Sequence, residues 1–204
     1  MSPDRIVRWT AGFAARHGRY EIETSDDAAA LRAADGAVAI LTPPFPPVLI
    51  ADGAAALEAF ARHAQLPRRI GLLLVRLGGY AAGVFDNGEL IASKVGSRPV
   101  HGRAAAGGWS QQRFARRREG QAKVAFAAAA DAAAAVLLPA VETLDAVVTG
   151  GDRKALRDVL GDPRLRTLSI VMVSRVLDVP DPKAAVLRAA YASAVSIRVA
   201  ITEP

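Results

Sequence analysis

Apolar and polar positions along the 204-residue chain switch period several times, and each switch predicts an element. Between residues 3 and 17, Ile6, Trp9 and Phe13 recur at helical spacing with Arg5, Arg8 and Arg16 between them, which predicts an amphipathic helix. "YEIET" (20–24) alternates as a strand does, and Ser25 or Asp26 then offers a cap for a short helix through about Ala34. "AVAIL" (37–41) reads as a buried strand that the prolines of "TPPFPP" stop, and "VLIA" (48–51) reads as another. Asp52 precedes a helix expected from about Gly53 to His63.

The strongest β signal is "RIGLLLVRLGGYAAGVFDNGELIASKVG" (69–96). Gly78-Gly79 and Asn87-Gly88 are hairpin turn pairs, so three consecutive antiparallel strands are expected. A long helix from about Ser110 to Leu138 follows a glycine-rich loop. A β/α alternation then continues through "LDAVVTGG", a helix near 152–160, "RLRTLSIVMVS", a helix near 182–192 and a closing "SIRVAI" strand. Gly150-Gly151 reads as a turn. No repeat and no linker divides the chain, so one α/β domain over 1–204 is expected, with a mixed sheet flanked by helices.

Composition narrows the function. No cysteine is present, which removes disulfides and thiolate metal sites. His17, His63 and His101 are scattered without a ligand spacing, so neither metal nor cofactor is expected. The first residues carry charges throughout and do not read as a signal peptide, and Asp131 and Pro139 interrupt the alanine-rich 124–141 run, so a membrane partner is not expected and a cytoplasmic location is. The net charge of +6 is concentrated: from Lys94 to Lys123 eight basic residues face Glu119 alone, a net +7, while the rest of the chain is near neutral. Such a field attracts polyanions, nucleic acid above all.

That segment, "VHGRAAAGGWSQQRFARRREGQAKV" (100–124), holds the candidate chemistry. Gly102, Gly107 and Gly108 permit positive φ and close backbone approach, which suits a narrow loop that is expected to be poorly ordered over 98–108 in isolation. Ser110 is a candidate N-cap, which puts Gln111 and Gln112 in the first helical turn, where free N–H groups and the helix dipole favour anions. Arg113, Arg116 and Arg117 are spaced to share one face. The same residues also fit an unstructured glycine loop ahead of a solvated basic helix. Trp109 fits either a base-stacking contact or an apolar staple on the helix, and His101 either supports the loop, contacts phosphate or acts as a base.

His101-Gly102-Arg103, Gly107-Gly108, Ser110 and Arg113-Phe114-Ala115-Arg116-Arg117-Arg118 resemble the catalytic loop and following helix of eukaryotic and archaeal class-one peptide release factors. In that family Gly-Gly is followed directly by the catalytic glutamine; here Trp109 holds that place, and glutamines stand at 111 and 112. With its glutamine displaced, the stretch is similar to the Vms-type release-factor-like proteins of ribosome quality control, and the chain looks like their compact actinobacterial branch. The resemblance implies the fold of the release-factor catalytic domain, a catalytic loop over 97–112 and a basic helix from about 110. It implies a monomeric, codon-independent peptidyl-tRNA hydrolase that inserts Gly107, Gly108, Ser110, Gln111 and Gln112 into the peptidyl-transferase centre of the large subunit. Arg98, His101, Arg103, Trp109, Arg113, Arg116 and Arg117 would then contact RNA. Gln111 matches a Gly-x-x-Gln spacing from Gly108, and Gln112 is not excluded by its position. A nuclease acting at the tRNA 3′ end, and a ribosome-binding module without catalysis, are the alternative readings.

Binding to tRNA or ribosomes is therefore expected to weaken steeply with salt. Replacing Arg113, Arg116 and Arg117 together with alanine should lower affinity and flatten the salt slope measured by titration. An unchanged slope would remove the segment from the interface.

Overall fold

A computed structural model describes residues 1–46, 55–98 and 109–204, with backbone alone described over 109–118. In chain order its first elements are α1 (Ile6–His17), β1 (Tyr20–Thr24), β2 (Ala29–Ala33), β3 (Val38–Thr42) and α2 (Ala56–Gln65). The strands β4 (Arg69–Arg76), β5 (Gly79–Asp86) and β6 (Glu89–Ser97) come next, then α3 (Trp109–Leu137), β7 (Ala146–Gly151) and α4 (Arg153–Leu160). Last come a 3₁₀ segment (Pro163–Ile170), β8 (Met172–Leu177), α5 (Ala184–Ala194) and β9 (Arg198–Thr202). The architecture is the expected mixed α/β one, built on two sheets, in two compact units: Met1–Pro67 with Ala192–Pro204, and Arg68–Tyr191.

In the first unit the sheet order is β1-β2-β3-β9, with every pairing antiparallel. Ile6, Thr10 and Phe13, one stripe of α1, are buried and meet Leu31, Leu41 and Phe60 in the core. The helix expected over 26–34 is instead the turn and strand β2. Ser25 N–H donates to the Ala28 carbonyl at 2.9 Å, closing a hairpin, and Ala29 and Leu31 alternate into the core. Alanine's helix preference is worth only tenths of a kcal/mol per residue, less than burying Leu31 and pairing both strand edges. The strand expected over 48–51 and the start of the helix behind Asp52 lie outside the described residues; α2 begins at Ala56.

The second unit holds the sheet β6-β5-β4-β7-β8. Both hairpins form where the turn pairs stand, with Gly78 at φ +91°, Asn87 at +46° and Gly88 at +94°. β4 is central, antiparallel to β5 and parallel to β7, and Ile70 through Val75 are buried on both faces. One face, with Leu73, Val75, Tyr80, Ala82 and Val84, receives Ala129, Ala132, Ala133 and Leu137 of α3 and Ala155, Leu156 and Val159 of α4. The other receives α5: a Cβ on Gly83 would lie 2.9 Å from Leu187, and Tyr191 stacks on Phe85 with ring centroids 4.6 Å apart.

Three readings change here. "RLRTLSIVMVS" is divided, because Asp162 caps a 3₁₀ turn at Arg164 N–H (3.0 Å) and Leu165 and Leu168, three apart, are buried at the period of that helix; the strand starts only at Met172. Gly150 and Gly151 end β7, paired with Leu74 and Val75, and do not form a free turn. Glu119–Thr143 is, by length and composition, apolar enough to cross a membrane, with a mean hydropathy of 2.0 over an 18-residue stretch within it. In the fold its alanine face covers the sheet, and Asp131 on its outer side meets Arg164 at 2.8 Å.

Gly151 has φ +104°, and a Cβ there would run into the Val75 carbonyl, which already accepts from Asp152 N–H at 2.8 Å. Gly151→Ala should cost about 2 kcal/mol or more in chemical denaturation, through the left-handed backbone and the clash together. Wild-type stability in this variant would contradict the placement of β7 beside β4.

Candidate functional site

The glycine loop leaves the second unit from a fixed point. β6 is an edge strand whose last residue, Ser97, pairs with Gly79, and Arg98 N–H donates to the Gly78 carbonyl at 2.7 Å. A side chain on Gly96 would collide with the ring of Tyr80, itself only 7% exposed, so the strand lies against that ring without freedom to shift. The exposed Arg98 guanidinium donates to the Ser97 carbonyl at 3.1 Å and borders a crevice of about 460 Å³ that Gly78, Gly79, Ser97 and Lys183 also line.

The chain is again described from Trp109, the first residue of α3. His101, Arg103, Gly107 and Gly108 lie between, outside the described residues, as does the expectation of disorder beyond Arg98. Because the helix starts at Trp109, Ser110 lies inside its first turn and not ahead of it as a cap. Gln111 and Gln112 complete that turn, and Arg113, Arg116 and Arg117 occupy the following one and a half. The structure thus brings the two glutamines together at the helix start.

At 29 residues α3 is about 43 Å long. Among its described side chains Glu119 to Val124 are exposed or half-buried, and Ala125 is the first that is buried. Ala125 lies about 24 Å along the helix from Trp109, at 1.5 Å per residue. Below the arginine segment, Glu119 and Lys123 pair across one turn at 3.8 Å. They border a groove of about 960 Å³ whose apolar floor includes Phe126 and whose far wall is α4, with Lys154 and Asp158.

The charges around this groove are unevenly committed. Asp152 caps α4, accepting from Lys154 N–H at 2.7 Å and Ala155 N–H at 3.0 Å. Arg164 holds Asp162 at 2.7 Å and Asp131 at 2.8 Å. Those bonds from Arg164, side chain and backbone, pull the Asp162 carboxyl down to about 2, and the two carboxylates push the guanidinium up in turn. Arg153, Lys154 and Arg157 on α4, and Arg166 beyond it, are exposed and make no ion pair among the described residues. The charge reading missed this cluster because Asp152, Asp158 and Asp162, close in sequence, cancel it in any sum; the visible signal is "RKALR" at the start of an amphipathic helix. Of the remaining histidines, His17 Nδ1 meets Asp35 at 2.9 Å and His63 Nε2 meets the Phe45 carbonyl at 2.7 Å, both structural ties within the first unit.

Residues 68–200 match the model of a family described as the Actinobacteria/chloroflexi VLRF1 release factor. No curated protein matches the chain. Among solved structures it is similar to an archaeal translation termination factor, aRF1, at 16% identity and a TM-score of 0.46, covering 80% of this chain and 48% of that one. It is similar also to a structure described as the Vms1 mitochondrial localization core, at 10% identity and a TM-score of 0.46, covering 96% of this chain and 81% of that one. The chain thus spans about half the length of the archaeal factor.

The Asp162 carboxyl gives a pH signature. Its folded value lies below its ordinary one, so its contribution is present above about pH 4 and is lost as pH falls toward about 2. Asp162→Asn should lack that increment, so its stability curve and the wild-type curve should converge as the pH is lowered. Parallel curves across pH 2–5 in acid-titrated thermal melts would show that the Arg164 bridge contributes nothing.

Proposed function

The chain belongs to the Actinobacteria/chloroflexi VLRF1 release factor family, and from that premise we propose that it is a codon-independent peptidyl-tRNA hydrolase that frees nascent chains from stalled cytoplasmic ribosomes or separated large subunits. The observation that carries this reading is the placement of Gln111 and Gln112 in the first turn of α3, the helix that follows Gly107-Gly108 in the chain. An amide there is suited to reaching into a catalytic centre that the protein does not itself contain.

Hydrolysis requires water to attack the ester carbonyl that joins the peptide to the terminal ribose of tRNA. The carbonyl oxygen gains negative charge in the tetrahedral intermediate, and the ribose oxygen leaves carrying a proton. Glutamine has no useful pKa and is no general base; its carbonyl oxygen accepts from the attacking water and orients it, while its N–H₂ is a donor. Free backbone N–H groups at the helix start, and the positive end of its dipole, favour the developing oxyanion. The arginines of the next turns hold RNA phosphate, and the ribosome with the tRNA ribose completes the site.

Gln111→Ala should lower single-turnover peptide release from stalled complexes by about 10²-fold, near 3 kcal/mol, with ribosome affinity almost unchanged. Gln111→Glu should also be impaired, because a carboxylate repels the oxyanion and offers no donor. Loss only in Gln112→Ala moves the role one residue along, and full activity in the double variant sinks the mechanism. Analysis of the tRNA ends in the same reactions separates the rivals. An intact CCA end with free peptide supports hydrolysis, a shortened tRNA identifies a nuclease, and binding without either product identifies a binding module.

A further inference from the structure

We propose that α4 and the 3₁₀ segment after it form a second cationic surface, which grips an RNA phosphate backbone beside the arginine helix. The inference rests on the ribosome as partner and not on ester hydrolysis.

Both α3 and α4 pack on the same face of the five-stranded sheet, so their outer sides are turned the same way. The groove between them has Lys123 on one wall and Lys154 on the other, one to three turns below Arg113–Arg118. Arg153, Lys154 and Arg157 are exposed on the opposite side of α4 from its buried Ala155, Leu156 and Val159, and Arg166 extends the patch onto the 3₁₀ segment. Against these four cations stand Asp158 and Asp152, which keeps its charge while it caps the helix; Asp162 is held by Arg164.

The placement of these cations works against the helix that bears them. Arg153 and Lys154 fill the first turn of α4, which has no acidic residue, so the positive end of the dipole repels them. Arg153 and Arg157, four apart, repel each other as well. The Asp152 carboxylate at the cap offsets part of this cost, and the exposed cations, which make no ion pair among the described residues, are left free to meet a partner outside the chain. Guanidinium groups on consecutive turns suit a chain of phosphates, which they bind in a geometry-specific way. The result would be two-sided contact: the arginine segment of α3 follows the RNA into the catalytic centre, and α4 holds the backbone outside it.

The test compares wild type with a variant combining Arg153→Gln, Lys154→Gln and Arg157→Gln, binding purified large ribosomal subunits in one arm and deacylated tRNA in the other. The expected result is about 10-fold weaker binding near 100 mM salt and a log–log salt slope shallower by about two in at least one arm. Loss confined to subunits assigns the surface to ribosomal RNA, and loss with tRNA alone assigns it to tRNA. Wild-type affinity and slope in both arms overturn the proposal. Asp158→Asn, which removes the acid of α4 that neither caps the helix nor makes an ion pair among the described residues, should tighten binding about two- to threefold, and it decides the matter should the triple variant lose its fold. A wild-type protein that binds subunits but releases no peptide overturns the hydrolase reading and leaves this surface standing.

Discussion

The alanine face of α3 against β5 is the contact that everything at the functional end depends on. A helix about 43 Å long fixes the position of its first turns only if its other half is held without play. Here Ala125, Ala129, Ala132 and Ala133 let the helix axis come close to a sheet face that is itself built of small residues such as Ala82, and Val136 and Leu137 fill the end of the seam. Small side chains lose little rotamer entropy on burial, so the seam is cheap to order as well as tight. A bulky residue in that face would tilt the whole helix, and at the distance of Gln111 a tilt of a few degrees is a displacement comparable with a hydrogen bond.

The same contact explains which parts of the molecule could be read before it was folded. Gly78-Gly79 and Asn87-Gly88 mark their hairpins because turn chemistry is local, and the stripe Ile6, Trp9, Phe13 marks α1 for the same reason. The segment 26–34 misleads because its alanines favour a helix locally, while the ladder to Tyr20–Thr24 that overrules them is a tertiary fact. Leu165 and Leu168 look like strand residues until Asp162-Pro163 is seen to start a tighter helix. The return of Ala192–Pro204 to the first unit has no signature of any kind in the sequence, since pairing partners some 160 residues apart share no motif.

For the site, the residues whose meaning lies in their order were legible, and those whose meaning lies in space were not. His101-Gly102-Arg103, Gly107-Gly108 and the arginine run announce themselves as a string. Arg153, Lys154 and Arg157 do not, because what sets them apart is that they share one exposed helix face, while an acid near them, Asp162, is held by Arg164. Net charge is a poor guide wherever acids are already engaged within the fold. The useful quantity is the charge left over after internal pairing, and on α4 that remainder is positive.

The pairing of β9 with β3 carries a consequence for biosynthesis. Chains emerge from the ribosome in order, and domains generally fold as their sequences become available. Here the unit that begins first is closed by β9: Val38–Thr42 waits as an open strand edge until Arg198–Thr202 arrives, after the whole of Arg68–Tyr191 has been made. While the residues between these two strands are being made, the nascent protein therefore carries an unfinished sheet ahead of the second unit. A chain arrested before Arg198 would keep that edge, Ile40 included, available to other strands. The first unit thus closes only in chains that have been translated past Thr202.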